Sequence, residues 1–311
     1  MKLKGWKMER WQVKTGAGRF RFFPVFIRAF TASILISILL PWPAAAQDGE
    51  ISWTRVIDWE KGEMTLTLSA ALARTGPNRP AAAITAERRI DTSLSKIFSE
   101  ALLPLQIDST MTFVDSVETG VFTAAELLSV AQTAKKGIPR YSQDMQTIFV
   151  DYTYRLYDSL APYFIRHSQP REIPHYLAWF PTREYTGIVI YAGKNLPVHG
   201  EAFESPLVPC LFPELFDAQT NPLFSIEMGD PAYLKRWGSA AYTSSFDETP
   251  WRDRIGDRPL RIIAAGLYGK YPTDLKIDME DAALILALPA NRRLLAEGRI
   301  LIIFDPPAPE F

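Results

Sequence analysis

The 311-residue chain has nearly balanced charge, with 34 basic and 35 acidic residues, but the basic residues are concentrated at its start. Residues 1–46 carry 8 basic residues and 1 acidic residue, so the remainder has 26 basic and 34 acidic residues and a net charge of −8. That sign disfavours binding to nucleic acid and to anionic lipid. Cys210 is the only cysteine, which excludes an intrachain disulfide.

Residues 1–46 have the parts of a secretory signal peptide: a basic region, an uncharged apolar stretch at 29–40, a Pro-Trp-Pro breaker and three alanines. The apolar stretch has 12 residues, whereas a helix that spans the bilayer needs about twenty. We therefore expect export to the periplasm with cleavage after Ala46. An uncleaved leader that anchors the chain in the inner membrane is the alternative, and Met8 is a second candidate initiator beside Met1.

The region 47–158 is predicted to form an N-terminal α+β domain. Alternation of apolar and polar residues indicates strands, and a 3.6-residue apolar periodicity indicates helices. Strands are predicted at 51–69 (a hairpin), 110–117 and 144–156, and helices at 80–103 and 124–135. Strands mixed with two helices are typical of an α+β fold.

Residues 159–183, here called the connector, are predicted to join two domains. Four prolines interrupt any regular pattern, yet the segment keeps several aromatic residues. This composition differs from that of a flexible linker, so we expect the connector to be packed.

The region 184–311 is predicted to form a C-terminal α/β domain with its sheet covered by helices. Its predicted strands are continuous apolar runs, which are typical of sheets buried on both faces. Strands are predicted at 185–191, 223–228, 260–266 and 299–305, and helical segments at 231–237, 279–288 and 289–297. Asp278 is expected to cap the helix that follows it, with Asp281 completing a capping box. Residues 197–222, which are rich in proline, are expected to lie irregularly on the surface.

Residues 187–195, with the sequence GIVIYAGKN, pose the question of a phosphate-binding loop. Such a loop requires four residues between its glycines and a Ser or Thr after the lysine. Five residues separate Gly187 from Gly193, and Asn195 replaces the hydroxyl residue. The β-branched run between the glycines favours a strand, so no nucleotide cofactor is predicted.

Short motifs in both predicted domains resemble a group of exported bacterial envelope proteins related to flagellar assembly protein T and to small envelope lipoproteins. The motifs are Trp53 with the alanine-rich helix after it, the Tyr-Thr-Gly strand at 185–190, and the segments 206–209, 260–266, 273–282 and 299–304. The resemblance implies an envelope protein, in some relatives a component of the flagellar structure, and transfers no catalytic residue. Tyr191-Ala-Gly-Lys194 stands where the family has Asp-Ala-Arg, so a role of that acid and base does not carry over.

Several side chains could in principle carry chemistry. The spacing of His167, His175 and His199 does not place two metal ligands on one helical face, so no metal site is predicted. Cys210 with His199 could form a thiol nucleophile and base, although the apolar neighbours of Cys210 favour a buried structural cysteine. Glu201 with Glu204, or Glu280 with Asp281, could form a glycosidase carboxylate pair, although adjacent acids are ordinarily solvated.

We predict a non-catalytic exported protein without cofactors that binds envelope proteins or a cell-wall or glycan component. Aromatic residues are frequent, and exposed ones would mark a binding surface. The aromatic residues considered are Trp53, Trp59, Tyr176, Trp179, Phe180, Trp237, Tyr242 and Trp251, and the predicted interaction residues are Tyr176, Trp179, Phe180, Pro206, Pro209 and Phe212. A periplasmic hydrolase and a glycan- or small-ligand-binding protein with a pocket between its domains are the alternatives.

Overall fold

A computed structural model describes residues 51–72 and 79–305. The predicted signal peptide lies outside these residues. Within them the strands are β1 Ser52–Asp58, β2 Glu63–Ala71, β3 Lys135–Lys136, β4 Arg140–Tyr141, β5 Thr147–Arg155, β6 Ile188–Ala192, β7 Leu196–Pro197, β8 Glu204–Ser205, β9 Leu215–Phe216, β10 Pro222–Phe224, β11 Ala241–Thr243, β12 Leu260–Ile263, β13 Gly266–Tyr268, β14 Asp274–Lys276 and β15 Ile300–Phe304. The α-helices are α1 Arg79–Leu102, α2 Phe113–Glu118, α3 Ala124–Ala131, α4 Leu156–Ser159, α5 Ala161–Phe164, α6 Pro231–Trp237, α7 Arg252–Ile255, α8 Met279–Leu286 and α9 Pro289–Ala296. Short 3₁₀ helices cover Ile226–Met228 and Thr249–Trp251.

The N-terminal part is an antiparallel sheet packed against the long helix α1. Its strand order is β1-β2-β5, and β3 and β4 both pair with the outer edge of β5. Residues of β2 and β5 alternate between buried and half-buried positions, because successive side chains of a strand point to opposite faces. The buried face, including Leu66 and Val150, packs with Ile90 and Phe98 of α1 in one apolar core. The prediction of an α+β domain is confirmed.

The predicted strand at 110–117 is wrong, because this segment contains helix α2. The Thr112 backbone N–H and hydroxyl both donate to Asp115 Oδ2, at 2.7 and 2.6 Å, and the Asp115 backbone N–H points back to the Thr112 hydroxyl at 3.5 Å. This reciprocal arrangement is a capping box. The local side-chain bonds start a helix even though Thr112, Phe113, Val114 and Val117 alone would favour a strand.

The C-terminal part is built on two four-stranded sheets. In the first, β11-β15-β6-β12, every neighbouring pair is parallel, with Ile190 of β6 beside Ile302 of β15. All five residues of β15 are buried, as expected for a parallel sheet covered on both faces. The second sheet, β10-β9-β14-β13, is mixed. These sheets and helices confirm the predicted α/β character, but the apolar run from Leu260 divides into two strands that belong to different sheets.

The proline-rich segment 197–222 is only partly on the surface, contrary to the prediction. Leu211 and Phe212 belong to the same core cluster as the sheet and helix of the N-terminal part. Their backbone N–H groups donate to the carbonyls of Gln106 and Ile107 at 3.2 and 2.9 Å. Apolar side chains between the prolines are buried here, so proline content did not indicate exposure.

The connector is packed only in part: Leu160, Ala161, Ile165 and Ile173 are buried, whereas most residues from 166 onward are exposed. Its start forms α5, whose Phe164 ring lies 6.1 Å from that of Phe212. Its later part has no regular secondary structure but is bonded to the C-terminal domain, where Arg171 N donates to Glu227 O at 2.8 Å. Across residues 51–72 and 79–305, no helix has the length and apolar character needed to span a bilayer.

Candidate functional site

The connector exposes a short row of large apolar side chains. Leu177 and Trp179 are 89% and 88% exposed, and Tyr176 is 39% exposed. These three residues are called the connector patch. The Phe180 ring is half-buried and lies edge-on to the Tyr176 ring, with centroids 6.0 Å apart. Two large apolar side chains that are almost fully exposed and only two positions apart are unusual, because exposed hydrophobic residues are ordinarily scattered singly over a surface.

The backbone around the connector patch is held on both sides. Before it, Ile173 is buried in the core of the C-terminal domain. After it, the Thr182 hydroxyl donates to the Leu284 carbonyl at 3.0 Å, and the Asn291 side-chain amide donates to the Arg183 carbonyl at 2.9 Å. The patch is therefore presented by a fixed segment, which lowers the entropy lost when a partner binds.

The predicted interaction residues do not form one surface. Tyr176, Trp179 and Phe180 lie on the connector, whose Tyr176 N–H faces the Leu286 carbonyl of α8 at 3.4 Å. Pro206 and Pro209 are half-buried in a segment that bonds to Pro272 through Val208 N. Phe212 is 2% exposed and belongs to the core, so its assignment to an interaction surface is wrong.

The structure gives Cys210 and His199 separate partners. Cys210 is buried, and its Sγ lies 3.9 Å from the Tyr242 hydroxyl. Burial raises the pKa of the Cys210 thiol, which disfavours the reactive thiolate. His199 accepts a hydrogen bond at Nδ1 from Lys276 Nζ at 3.1 Å. Cys210 therefore has the environment of a structural cysteine.

The two carboxylate pairs named from sequence have ordinary surroundings. Glu201 and Glu204 are exposed. Glu280 is exposed in the first turn of α8, where the helix dipole favours acids, and burial raises the pKa of Asp281. Asp278 precedes α8 but makes no side-chain capping bond, so the predicted capping box is absent there.

A different pair of acids, not recognised from sequence, is withdrawn from solvent, Asp274 fully and Glu214 in part. Burial raises the pKa of Glu214 to about 7, and the charge of Asp274 adds to this rise. Burial likewise raises the pKa of Asp274 to about 6. Asp274 Oδ1 accepts from the Glu214 backbone N–H at 3.0 Å, whereas the buried Oδ2 has no partner among the described residues. The apolar run around Glu214, Leu-Phe-Pro-Glu-Leu-Phe, was the sequence signal of burial.

Glu214 lines a cavity that is too small for a substrate. The cavity that Glu214 lines, together with Ile190, Phe224 and Ile302, measures about 10 Å³. That volume is at the lower limit for a single water molecule, about 10–15 Å³. In the part of the chain that the structure describes, no three His, Cys, Asp or Glu side chains are grouped as metal ligands.

Comparison with known families divides the chain as the fold does. Residues 50–162 match the model of the N-terminal domain of Treponema pallidum Tp0624, and residues 187–306 match that of the second domain of the same protein. The chain therefore contains two domains of the Tp0624 type. The connector patch lies between the two Tp0624 matches. No curated protein matches the chain, and neither Tp0624 match links it to flagellar assembly protein T.

Proposed function

We propose that this Tp0624-type protein is an exported, non-catalytic component of the cell envelope that binds another envelope protein through the connector patch. The observation that carries the proposal is the display of Leu177 and Trp179, 89% and 88% exposed, on a segment bonded to the fold on both sides. Large apolar and aromatic side chains at the centre of an interface supply most of its binding energy. The basic and apolar leader supports an envelope location.

A protein surface is the occupant that suits this patch best. Residues 47–311 carry a net charge of −8, which opposes adsorption to anionic lipid. Leu177 has no hydrogen-bonding group, whereas a glycan site combines aromatic faces with polar side chains. An apolar pocket on a partner protein would bury both Leu177 and Trp179.

The acids support a non-catalytic role. Of the two acids with pKa values raised to about 7 and about 6, Glu214 is half-buried and Asp274 is buried. A catalytic acid or base must come within hydrogen-bonding distance of its substrate. The small cavity beside Glu214 leaves no place for one.

Photocrosslinking in cells tests the proposal. A photoreactive phenylalanine analogue replaces Leu177 in the full chain, and the control carries it at Ile138, which is 87% exposed in the N-terminal domain. We expect irradiation to give a discrete protein adduct from position 177 and none of that size from position 138. Adducts identical at both positions, lipid or glycan adducts only, or no adduct would contradict the proposal.

The crosslinked protein is then purified and its affinity measured with the mature chain. Trp179→Ala should weaken binding by about tenfold or more, since aromatic hot spots contribute about 2 kcal/mol or more. Ile138→Ala removes an equally exposed apolar side chain and should leave the affinity unchanged. If Trp179→Ala bound with unaltered affinity, the crosslinked protein would only lie near the connector patch and would not bind through it.

A further inference from the structure

A small cavity lies where the N-terminal and C-terminal domains meet. Its volume is about 140 Å³. The N-terminal domain contributes the β1–β2 turn and the end of β5, and the C-terminal domain contributes α6, the start of β11 and the turn around α7. The side chains that matter for its chemistry are Lys61, Arg155, Arg236, Arg254, Trp237 and Trp251.

The lining of this cavity has more positive than negative charge. Four cations line it, against two carboxylates, those of Glu60 and Asp158. Two of the cations are neutralised locally, because Lys61 pairs with Asp58 at 2.6 Å and Arg155 pairs with Asp158 at 2.9 Å. The other two, both arginines, form no ion pair with any residue that the structure describes.

Arg254 is the buried one of these two arginines, with 6% of its surface exposed. Burial lowers its pKa to about 10, so the guanidinium stays charged at neutral pH. It donates to three carbonyl oxygens, those of Gly298, Trp237 and Gly238, at 2.7, 2.8 and 3.0 Å. A guanidinium has five N–H groups, so two remain without an acceptor within the described residues.

Trp251, which also lines the cavity, has a third unused donor. Trp251 Nε1 is buried and has no hydrogen-bond partner among the described residues. Buried donors without an acceptor are rare in folded proteins, and each one calls for an explanation. A ligand that brings acceptor oxygens would satisfy Arg254 and Trp251 together.

Arg236 is held beside the cavity by stacking. Its guanidinium carbon lies 4.8 Å from the Trp237 ring centroid, and that of Arg254 lies 5.2 Å from the same ring. The Trp237 indole N–H donates to the Glu297 carbonyl at 2.9 Å, which fixes the ring. A planar guanidinium stacked on an aromatic ring keeps its N–H edge free for an oxyanion.

We propose that this cavity binds a small oxyanion, a phosphate or carboxylate group, between Arg236, Arg254 and Trp251. Guanidinium groups bind such oxygens in a bidentate manner, and this charge-assisted bonding is stronger than that of neutral donors. The volume of about 140 Å³ leaves room for a group of a few heavy atoms. This site is separate from the connector patch, and its test is independent of the proposed function.

Anion titration of the ¹⁵N-labelled chain from residue 47 to 311 tests the site. The indole N–H signal of Trp251, assigned with Trp251→Phe, is followed by NMR during addition of inorganic phosphate or of acetate at constant ionic strength. Acetamide is the control because it matches acetate in shape and carries no charge. We expect a saturable shift with phosphate, with acetate or with both, which also identifies the preferred anion, and no shift with acetamide.

Substitution of Arg236 provides the second arm. Arg236 is exposed, so Arg236→Gln should keep the fold, which circular dichroism checks. The substitution should lower the affinity for the anion by about tenfold, as expected for loss of a charge-assisted bond. Arg258→Gln, at an exposed arginine outside the cavity, should bind as the unaltered chain does. The proposal is overturned if neither anion gives a saturable shift, if acetamide gives the same shift, or if Arg236→Gln binds with unchanged affinity.

Discussion

Two regions of this molecule bury charge, and they handle it in opposite ways. Arg254 stays ionised at neutral pH even though burial lowers its pKa to about 10, because its ordinary pKa is far above 7. The pKa of Glu214 is raised to about 7, so this carboxyl titrates in the neutral range. Burial therefore leaves a permanent charge on Arg254 and gives the half-buried Glu214 a pH-dependent charge.

The hydrogen bonds of the two regions differ in the same way. Arg254 bonds to three backbone carbonyls from two segments, around Trp237 and at Gly298, and so helps to hold α6 near the start of β15. The Asp274 carboxyl keeps one buried oxygen without a donor. Buried cations can be stabilised by neutral carbonyls, whereas a buried carboxyl with one oxygen left without a donor is stabilised by a proton.

The largest effect is expected from Arg254→Met. This substitution leaves three carbonyls without their donor, and each unsatisfied buried group costs about 1–3 kcal/mol. We expect the free energy of unfolding to fall by about 4 kcal/mol, measured by urea denaturation. Arg258→Met, at an exposed position, should change it by less than about 0.5 kcal/mol. A loss below about 1 kcal/mol for Arg254→Met would show that the three bonds do not hold the segments together.

A smaller, pH-dependent effect is expected from Glu214→Gln. The folded-state pKa of about 7 exceeds the ordinary 4.5, so the folded state binds the proton more tightly than the unfolded state. The contribution of Glu214 to stability is therefore complete below pH 4.5 and is lost as the pH rises to about 7. At about 1.4 kcal/mol per pKa unit, the loss amounts to about 3 kcal/mol.

Glu214→Gln should accordingly unfold with less dependence on pH than the unaltered chain. Urea denaturation at pH 5 and pH 8 measures the difference. The variant should gain stability relative to the unaltered chain at pH 8 and lose that advantage at pH 5. Glu201→Gln, at an exposed acid of the same domain, is the matched control. Parallel stability curves for Glu214→Gln and the unaltered chain would contradict the raised pKa.

Much of the fold could be predicted because each element has its own local pattern. The alternation in β2 and β5, the periodicity of α1 and the apolar run of β15 each correspond to an element observed there. The burial of Phe212 could not be predicted, since Ile107, whose carbonyl accepts from the Phe212 backbone N–H, lies about a hundred positions earlier in the chain.

The cavity of Arg254 could not be predicted for a related reason. Its lining comes from segments near residues 60, 156, 237, 241 and 252, and no one of these segments has a motif. Arginine is mostly exposed in folded proteins, so the sequence offered no sign that Arg254 is buried. The connector patch was partly predictable, because Trp179 lies among prolines, but Leu177 was not singled out.

The smallest effect concerns Asp115, a carboxyl whose pKa is shifted in the opposite direction to that of Glu214. Hydrogen bonds from the Thr112 hydroxyl and backbone N–H lower the pKa of Asp115. The stability that these bonds provide is therefore present above the ordinary pKa of an aspartate and is lost as the pH falls. Thr112→Ala removes the cap of α2 and should lower the free energy of unfolding by about 1 kcal/mol at pH 7.

The same variant separates local capping from burial as the cause of pH dependence. Thr112→Ala should lose less stability at pH 3 than at pH 7, because the bonds from Thr112 to the Asp115 carboxylate weaken as that carboxyl takes up a proton, and Thr110→Ala serves as the neighbouring control. Glu214→Gln should show its difference only on the neutral side. If Thr112→Ala were equally destabilising at both pH values, the Thr112 cap would act without the Asp115 charge, and the contrast between Asp115 and Glu214 would rest on burial alone.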